Sequence, residues 1–124
     1  MTHRRLLVVD DEEALLALME RFLRRSGFSV TGASSGELAW KAMLDSDGGF
    51  SLIILDLTLP GLSGVDLLMQ LRGVSLSIPV LLLSGYPFDT ASLPVCLQSN
   101  VWFVQKPFSP KTLVVLIEEI LGVL

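Results

Sequence analysis

Four apolar runs in this chain each end in polar residues of the kinds that handle phosphoryl oxygens. Leu6–Val9 leads into Asp10–Asp11–Glu12–Glu13, Leu52–Leu55 into Asp56, Ile78–Leu83 into Ser84–Gly85, and Val101–Val104 toward Lys106–Pro107. If the runs are neighbouring parallel strands, Asp10, Asp11 and Asp56 converge at one sheet edge. Two unit charges ~5 Å apart at an effective dielectric near 20 repel by about 3 kcal/mol, so such a cluster calls for a cation. All-oxygen ligands at a partly open site suit Mg²⁺, and no ligand-rich loop of the calcium type is present. Lys106 and the Ser84 hydroxyl would add an ammonium and a hydrogen-bond donor on the other side. Metal, ammonium and hydroxyl around one carboxylate make a phosphoryl clamp, because phosphoryl transfer asks the protein mainly to position groups and neutralise charge. With no second substrate pocket evident, Asp56 itself is the candidate nucleophile.

The elements that must hold these residues follow from pattern. Ser51–Pro60 carries four apolar residues without alternation before Asp56, as in a strand buried on both faces, and Pro60–Gly61 then break the chain. Leu15, Leu18, Met19 and Phe22 recur at helical spacing after Glu13, with Glu20 and Arg24 as an i,i+4 pair and Gly27 as terminator. Phe28–Thr31 reads as a short strand closed by Gly32. Ser34 with Glu37 reads as a capping box opening a second helix that runs toward Gly48–Gly49, with Trp40 packed against the core. Ser63 and Asp66 cap a third helix that uses Val65, Leu68, Met69 and Leu71 and ends at Gly73. Ser109, Pro110 and Gly122 bracket a last helix. Between the last two strands, Pro94 interrupts the helical pattern; a short helix capped by Ser92 is the expectation there.

Strands alternating with helices predict an α/β domain: a doubly wound five-stranded parallel sheet with helices on both faces. Its ligands bind beyond the carboxyl ends of the strands, where all the polar groups named above would lie. At 124 residues the chain has the size of one domain, with neither repeats nor linkers. A net charge of -4 argues against a nucleic-acid surface. The basic start Met1–Arg5 is followed by too short an apolar run for a signal peptide or membrane span, which points to the cytoplasm. A single Cys96 forms no internal disulfide and is expected to be a small buried hydrophobe. The mean hydropathy of +0.62 suggests apolar surface meant for a partner.

In order and spacing, Asp10–Asp11, Asp56 with Pro60 and Gly64 after it, Ser84–Gly85 and Lys106–Pro107–Phe108 resemble the receiver domain of two-component response regulators, over essentially the whole chain (1–124). The resemblance implies the flavodoxin-like strand order 2-1-3-4-5 and a phosphoryl group taken by Asp56 from a phosphohistidine on a histidine kinase or histidine phosphotransfer domain. It implies that Asp11, Asp56 and the Thr58 backbone carbonyl hold Mg²⁺ directly and Asp10 through water, and that Lys106 pairs with carboxylate and phosphoryl oxygens. Ser84 and Phe103 would form the switch pair. Leu15, Leu18 and Pro107 match the family's partner patch, although Leu18 equally suits the core. A domain of this kind is a phosphoacceptor that assists its own phosphorylation and dephosphorylation; it is not an enzyme on external substrates. Tyr86, two residues past Ser84, is expected to shield the phosphoryl group from water.

Two departures stand out. Ser99–Asn100–Val101 occupies the loop where the family usually has Gly-Ala, and Asn100 tolerates a left-handed turn. Residues 87–98 carry one charge, Asp89, so the charged dimerisation network of many DNA-binding regulators is missing; the apolar segment suggests self-association or fusion to another domain. Phe103–Pro110 looks like receivers fused to hybrid sensor histidine kinases. Each polar group alone also has an ordinary role: Asp10–Glu13 as a helix cap, Ser84–Gly85 as a turn, Lys106 as a solvated lysine. A haloacid-dehalogenase-like phosphohydrolase uses similar groups, but places the nucleophile on an early strand with an acid two residues on and the metal carboxylates late. A receiver-like interaction module that no longer takes phosphate would not need all five side chains. No Gly-x-Gly-x-x-Gly follows the first strand, which excludes a dinucleotide site.

Overall fold

Leu52–Asp56 is the middle strand of a five-stranded sheet in the computed structural model, which describes residues 4–46, 49–59, 63–74 and 77–122, and all five of its residues are buried. The strands are β1 (Arg5–Val9), β2 (Ser29–Ala33), β3 (Leu52–Asp56), β4 (Val80–Ser84) and β5 (Val101–Gln105), in the order β2-β1-β3-β4-β5 with every pair parallel. This is the flavodoxin-like order expected from the sequence. Its register aligns the strand ends: Val9 lies opposite Leu55, Asp56 opposite Leu83, and Ser84 opposite Gln105. The polar residues that end or follow these strands therefore emerge together at one edge. That edge includes the topological switch point between β1 and β3.

The aliphatic runs have two buried faces because successive side chains point to opposite sides of the sheet. Leu6, Val8, Leu52, Ile54, Leu81 and Leu83 meet Leu16, Met19 and Leu23 of α1 (Glu13–Arg25) and Leu113 and Ile117 of α4 (Pro110–Leu121). Leu7, Val9, Ile53, Leu55, Val80 and Leu82 meet Ala39 of α2 (Gly36–Asp45) and Leu67, Leu68 and Leu71 of α3 (Gly64–Val74). Each fully buried Leu or Ile contributes roughly 1.5–3 kcal/mol, so these two layers supply the stiffness on which the edge is mounted. Ser63 accepts from the Asp66 amide and Ser109 from the Thr112 amide, with Pro110 in the first turn of α4 and Gly122 left-handed at its end, as the cap patterns predict. Trp40 packs partly buried on the core, and Glu20 and Arg24 pair at 3.5 Å.

Several local expectations are corrected. Strand β2 runs two residues further than Phe28–Thr31 and includes Gly32, because an edge strand extends as far as its partner pairs: Ser29–Ala33 match Arg5–Val9 one for one. The cap of α2 is Ser35, whose hydroxyl accepts from the Leu38 amide at 3.1 Å, and not Ser34; the helix stops at Asp45. In α3, Leu67 faces the core beside Leu68 and Leu71, and Met69 is exposed. Gly73 lies inside that helix. Residues 87–98 form no α-helix. Two short 3₁₀ turns, Thr90–Ser92 and Val95–Leu97, stand there, with Asp89 and Pro94 as their respective N-caps. Pro94 enforces the division, and Ser92 falls within the first turn instead of capping. Cys96 is exposed on the second turn; Leu93 and Leu97 take the buried positions. The break expected at Pro60–Gly61 and the residue Gly48 lie outside the described residues.

Candidate phosphoacceptor site

One local device shapes three of the strand ends. Asp10 Oδ1 accepts from the Glu12 amide at 2.9 Å, Asp56 Oδ1 from the Thr58 amide at 2.9 Å, and Ser84 Oγ from the Tyr86 amide at 3.0 Å. Each side chain thus bonds the N–H two residues on, the turn that Asp and Ser form by mimicking backbone. The bond spends one oxygen of each carboxylate on the turn and fixes the direction of the other. All three residues are buried.

Lys106 fills the space those free oxygens face. Directly after β5, its amide donates to the Ser84 carbonyl at 2.7 Å, and its Nζ lies 3.1 Å from Asp56 Oδ2, 3.0 Å from Asp10 Oδ2 and 2.9 Å from Glu12 Oε1. Burial works against its charge, but the Glu12, Asp10 and Asp56 carboxylates outweigh it and hold the ammonium above its ordinary range. Burial also dominates at Asp10 and pushes its carboxyl up. The Asp56 charge adds to that, while the Glu12 amide and Lys106 pull the other way. Glu12 is the member of this cluster that sequence reasoning missed; its place in the acidic run Asp10–Glu13 suggested only a helix cap.

The carboxylates suit a divalent cation. Ligand oxygens of Asp10, Asp11 and Asp56 lie within 4.8 Å of one another. Asp10 Oδ2 is buried with no hydrogen bond: the Lys106 ammonium is close enough for an ion pair but off the hydrogen-bond direction. A buried carboxylate oxygen in that condition is what a hard, oxygen-seeking cation relieves. Asp11, exposed beside it, borders an open cavity of about 270 Å³ with Glu12, Asp56, Thr58, Gly85, Tyr86 and Lys106. Among the described residues, then, the sequence-predicted Asp10, Asp11, Asp56, Thr58, Ser84 and Lys106 all come to one edge.

A family model for the response regulator receiver domain matches residues 6–118. The chain belongs to that family. Receivers are phosphoacceptor signalling domains, and the alternatives weighed from the sequence find no support. The alkaline phosphatase synthesis transcriptional regulatory protein PhoP of Bacillus subtilis (strain 168) is 36% identical over 109 residues, covering 88% of this chain and 45% of that protein. Response regulator SaeR of Staphylococcus aureus (strain USA300) is 30% identical over 121 residues, covering 98% and 51%. The chain spans about half the length of these curated relatives. Among solved structures, the receiver domain from hybrid histidine kinase CckA is 33% identical with a TM-score of 0.81, covering 94% of this chain and 98% of that one. A CheY-like receiver from Methanospirillum hungatei JF-1 reaches a TM-score of 0.87 at 23% identity, covering 98% and 95%, a likeness of fold.

Around the receiver's edge, Phe103 is half-buried and meets Phe88 at 5.9 Å between ring centroids with planes tilted by 54°. The unusual loop before β5 holds: Asn100 is left-handed at φ 55° and its side-chain Nδ2 donates to the Ser77 carbonyl at 3.1 Å. Buried Arg72 of α3 donates to the carbonyls of Ile78, Ser99 and Asn100 at 2.7, 2.9 and 3.2 Å, binding helix, loop and sheet. Leu15 and Leu18 line an apolar groove between α1 and α4 with Phe22, Phe108 and Pro110. Leu18 is 51% exposed, which decides against a core role, and Pro107 is exposed on the loop entering α4. Among the described residues no helix is long and apolar enough to cross a membrane.

Proposed function

We propose that Asp56 accepts a phosphoryl group from a phosphohistidine on a histidine kinase or histidine phosphotransfer domain, in a reaction that needs Mg²⁺. An Asp56 oxygen attacks phosphorus while the P–N bond breaks and its electron pair returns to the imidazole, whose other ring nitrogen carries a proton; the products are an aspartyl phosphate and a neutral histidine. The observation that supports this best is the setting of Asp56: its Oδ2 is 3.1 Å from the Lys106 ammonium, and it offers a carboxylate oxygen within 4.8 Å of those of Asp10 and Asp11. Held by Asp11, Asp56 and the Thr58 carbonyl, with Asp10 through water, Mg²⁺ would supply positive charge opposite the phosphoryl oxygens.

Lys106 screens the approach of an anionic donor and then pairs with a phosphoryl oxygen. Ser84 exchanges its bond from the Tyr86 amide for one it donates to the phosphoryl group, and Phe103 turns inward behind it. That pair is the two-state element. Tyr86, exposed at the rim, covers the aspartyl phosphate against water. The groove with Leu15 and Leu18, and Pro107 beside it, receives the helical partner. The domain acts on itself alone, in the cytoplasm where kinases meet ATP. Its identity to the CckA receiver and the run Phe103–Pro110 favour a receiver of the hybrid-kinase kind.

The test is incubation with Mg²⁺ and a small phosphodonor, followed by intact mass. One added phosphoryl group is expected on wild type and none on Asp56→Asn; absence of the first or persistence in the second defeats the reading.

A further inference from the structure

Glu12 sits at the N-cap position of α1, yet its side chain makes no cap bond. It reaches instead to Lys106, 94 residues on, and accepts a hydrogen bond from Nζ at 2.9 Å. The ammonium donates to Glu12 and to Asp56 and stands beside Asp10 as an ion pair, so Glu12 takes up a proton and a share of the charge that a phosphoryl oxygen would need. The three are not equivalent. Asp10 is fully buried and tied by its other oxygen, and Asp56 is the reacting group. Glu12, 62% exposed, is the one able to withdraw into water.

We infer that Glu12 is a positioning residue that holds Lys106 away from an arriving phosphoryl group and so restrains phosphorylation of Asp56. This rests on the phosphoacceptor reading above. Lys106 has two alternatives at the mouth of the site: the Glu12 carboxylate before transfer, and a phosphoryl oxygen during and after it. The same carboxylate lines the cavity the donor must enter. Removing its charge frees the ammonium without disturbing the buried pair.

Acetyl phosphate at saturating Mg²⁺ is a suitable probe. An Asp56 oxygen bonds to phosphorus, the bond from phosphorus to the acetyl oxygen breaks, and acetate departs with the electron pair. Labelling is followed by intact mass over time. Failure to label wild type, or labelling of Asp56→Asn, overturns the phosphoacceptor reading whatever Glu12 does. With that reading intact, Glu12→Gln and Glu12→Ala should each label about two to five times faster, the scale of an ion pair with one exposed partner. The gain should shrink in high salt, and should fall toward unity in a Lys106→Ala background, where there is no ammonium to release. Unchanged or slower labelling overturns the inference, as does an equal gain with and without Lys106, which would mean simple repulsion of the donor.

Discussion

Gly64, the first residue of α3, lies against the backbone of Asp56: a Cβ there would stand 2.5 Å from the Asp56 carbonyl oxygen and 2.7 Å from Leu57 Cα. The end of β3 is thus held from below by the start of a helix, and no side chain fits between. Gly64→Ala is expected to cost about 1–3 kcal/mol in urea unfolding, since backbone has to move, and to slow labelling of Asp56. Gly73→Ala, in the same helix with nothing within 4 Å of its would-be Cβ, should instead stabilise by up to about 1 kcal/mol. Equal effects of the two would show that the contact at Asp56 is not what matters.

Asp10 gives the site a pH signature in the metal-free protein. Burial, first among the causes, raises its folded carboxyl pKa above the ordinary 3.8. A raised folded pKa means a contribution to stability that is full below 3.8 and lost as pH rises through the folded value. At neutral pH the ionised carboxylate is therefore a burden that a cation relieves. The Lys106 shift is also upward, so its contribution is full below 10.5 and persists through neutral pH. Asp10→Asn should stabilise the metal-free protein at pH 7 by about 1 kcal/mol, or ~3–6 °C in Tm, and should reduce the further rise on adding Mg²⁺. A melting curve lower than wild type without metal would contradict this.

The sheet was legible because unbroken aliphatic runs admit few other homes, and Asp10, Asp56, Ser84 and Lys106 were legible because each follows such a run. The less legible parts are those decided by tertiary contact. Ser34 and Ser35 offer the same hydroxyl to one helix, and only the course of the backbone after β2 selects between them. Met69 and Leu67 are both apolar, and only the angle at which α3 meets the sheet says which is buried. Glu12 was hidden for a related reason. Its partner lies across the sheet, and local pattern carries no information about a contact between β1 and β5 ends.

The choice of cap is open to direct measurement. Ser35→Ala removes the acceptor for the Leu38 amide at the start of α2 and should cost about 1 kcal/mol, whereas Ser34→Ala should stay within ~0.5 kcal/mol of wild type. Chemical denaturation of the two variants suffices, and the reverse ranking would restore the Ser34 capping box.

Arg72 offers the last and largest stability test. The residue is 4% exposed, and its guanidinium donates to three carbonyls that belong to the β4 entry and the β5 entry, so it closes the sheet end opposite the phosphoacceptor edge. Burial lowers its pKa, but a guanidinium keeps its charge at any pH where the protein folds. Arg72→Met preserves the aliphatic stem and strips the side-chain donors from all three carbonyls, of which, among the described residues, that of Asn100 alone keeps a bond, from the Val80 amide at 2.9 Å, for an expected loss of about 3 kcal/mol. Arg72→Lys should fall between, because a single ammonium cannot span carbonyls from residues 78 and 99–100 as a planar fork does. Since these bonds fix the loop that starts β5, the strand that carries Phe103 and leads to Lys106, amide hydrogen exchange in Val101–Gln105 should rise in Arg72→Met well before global unfolding. Exchange that increases only with global unfolding would confine Arg72 to overall stability and deny it any part in holding the Lys106 side of the site.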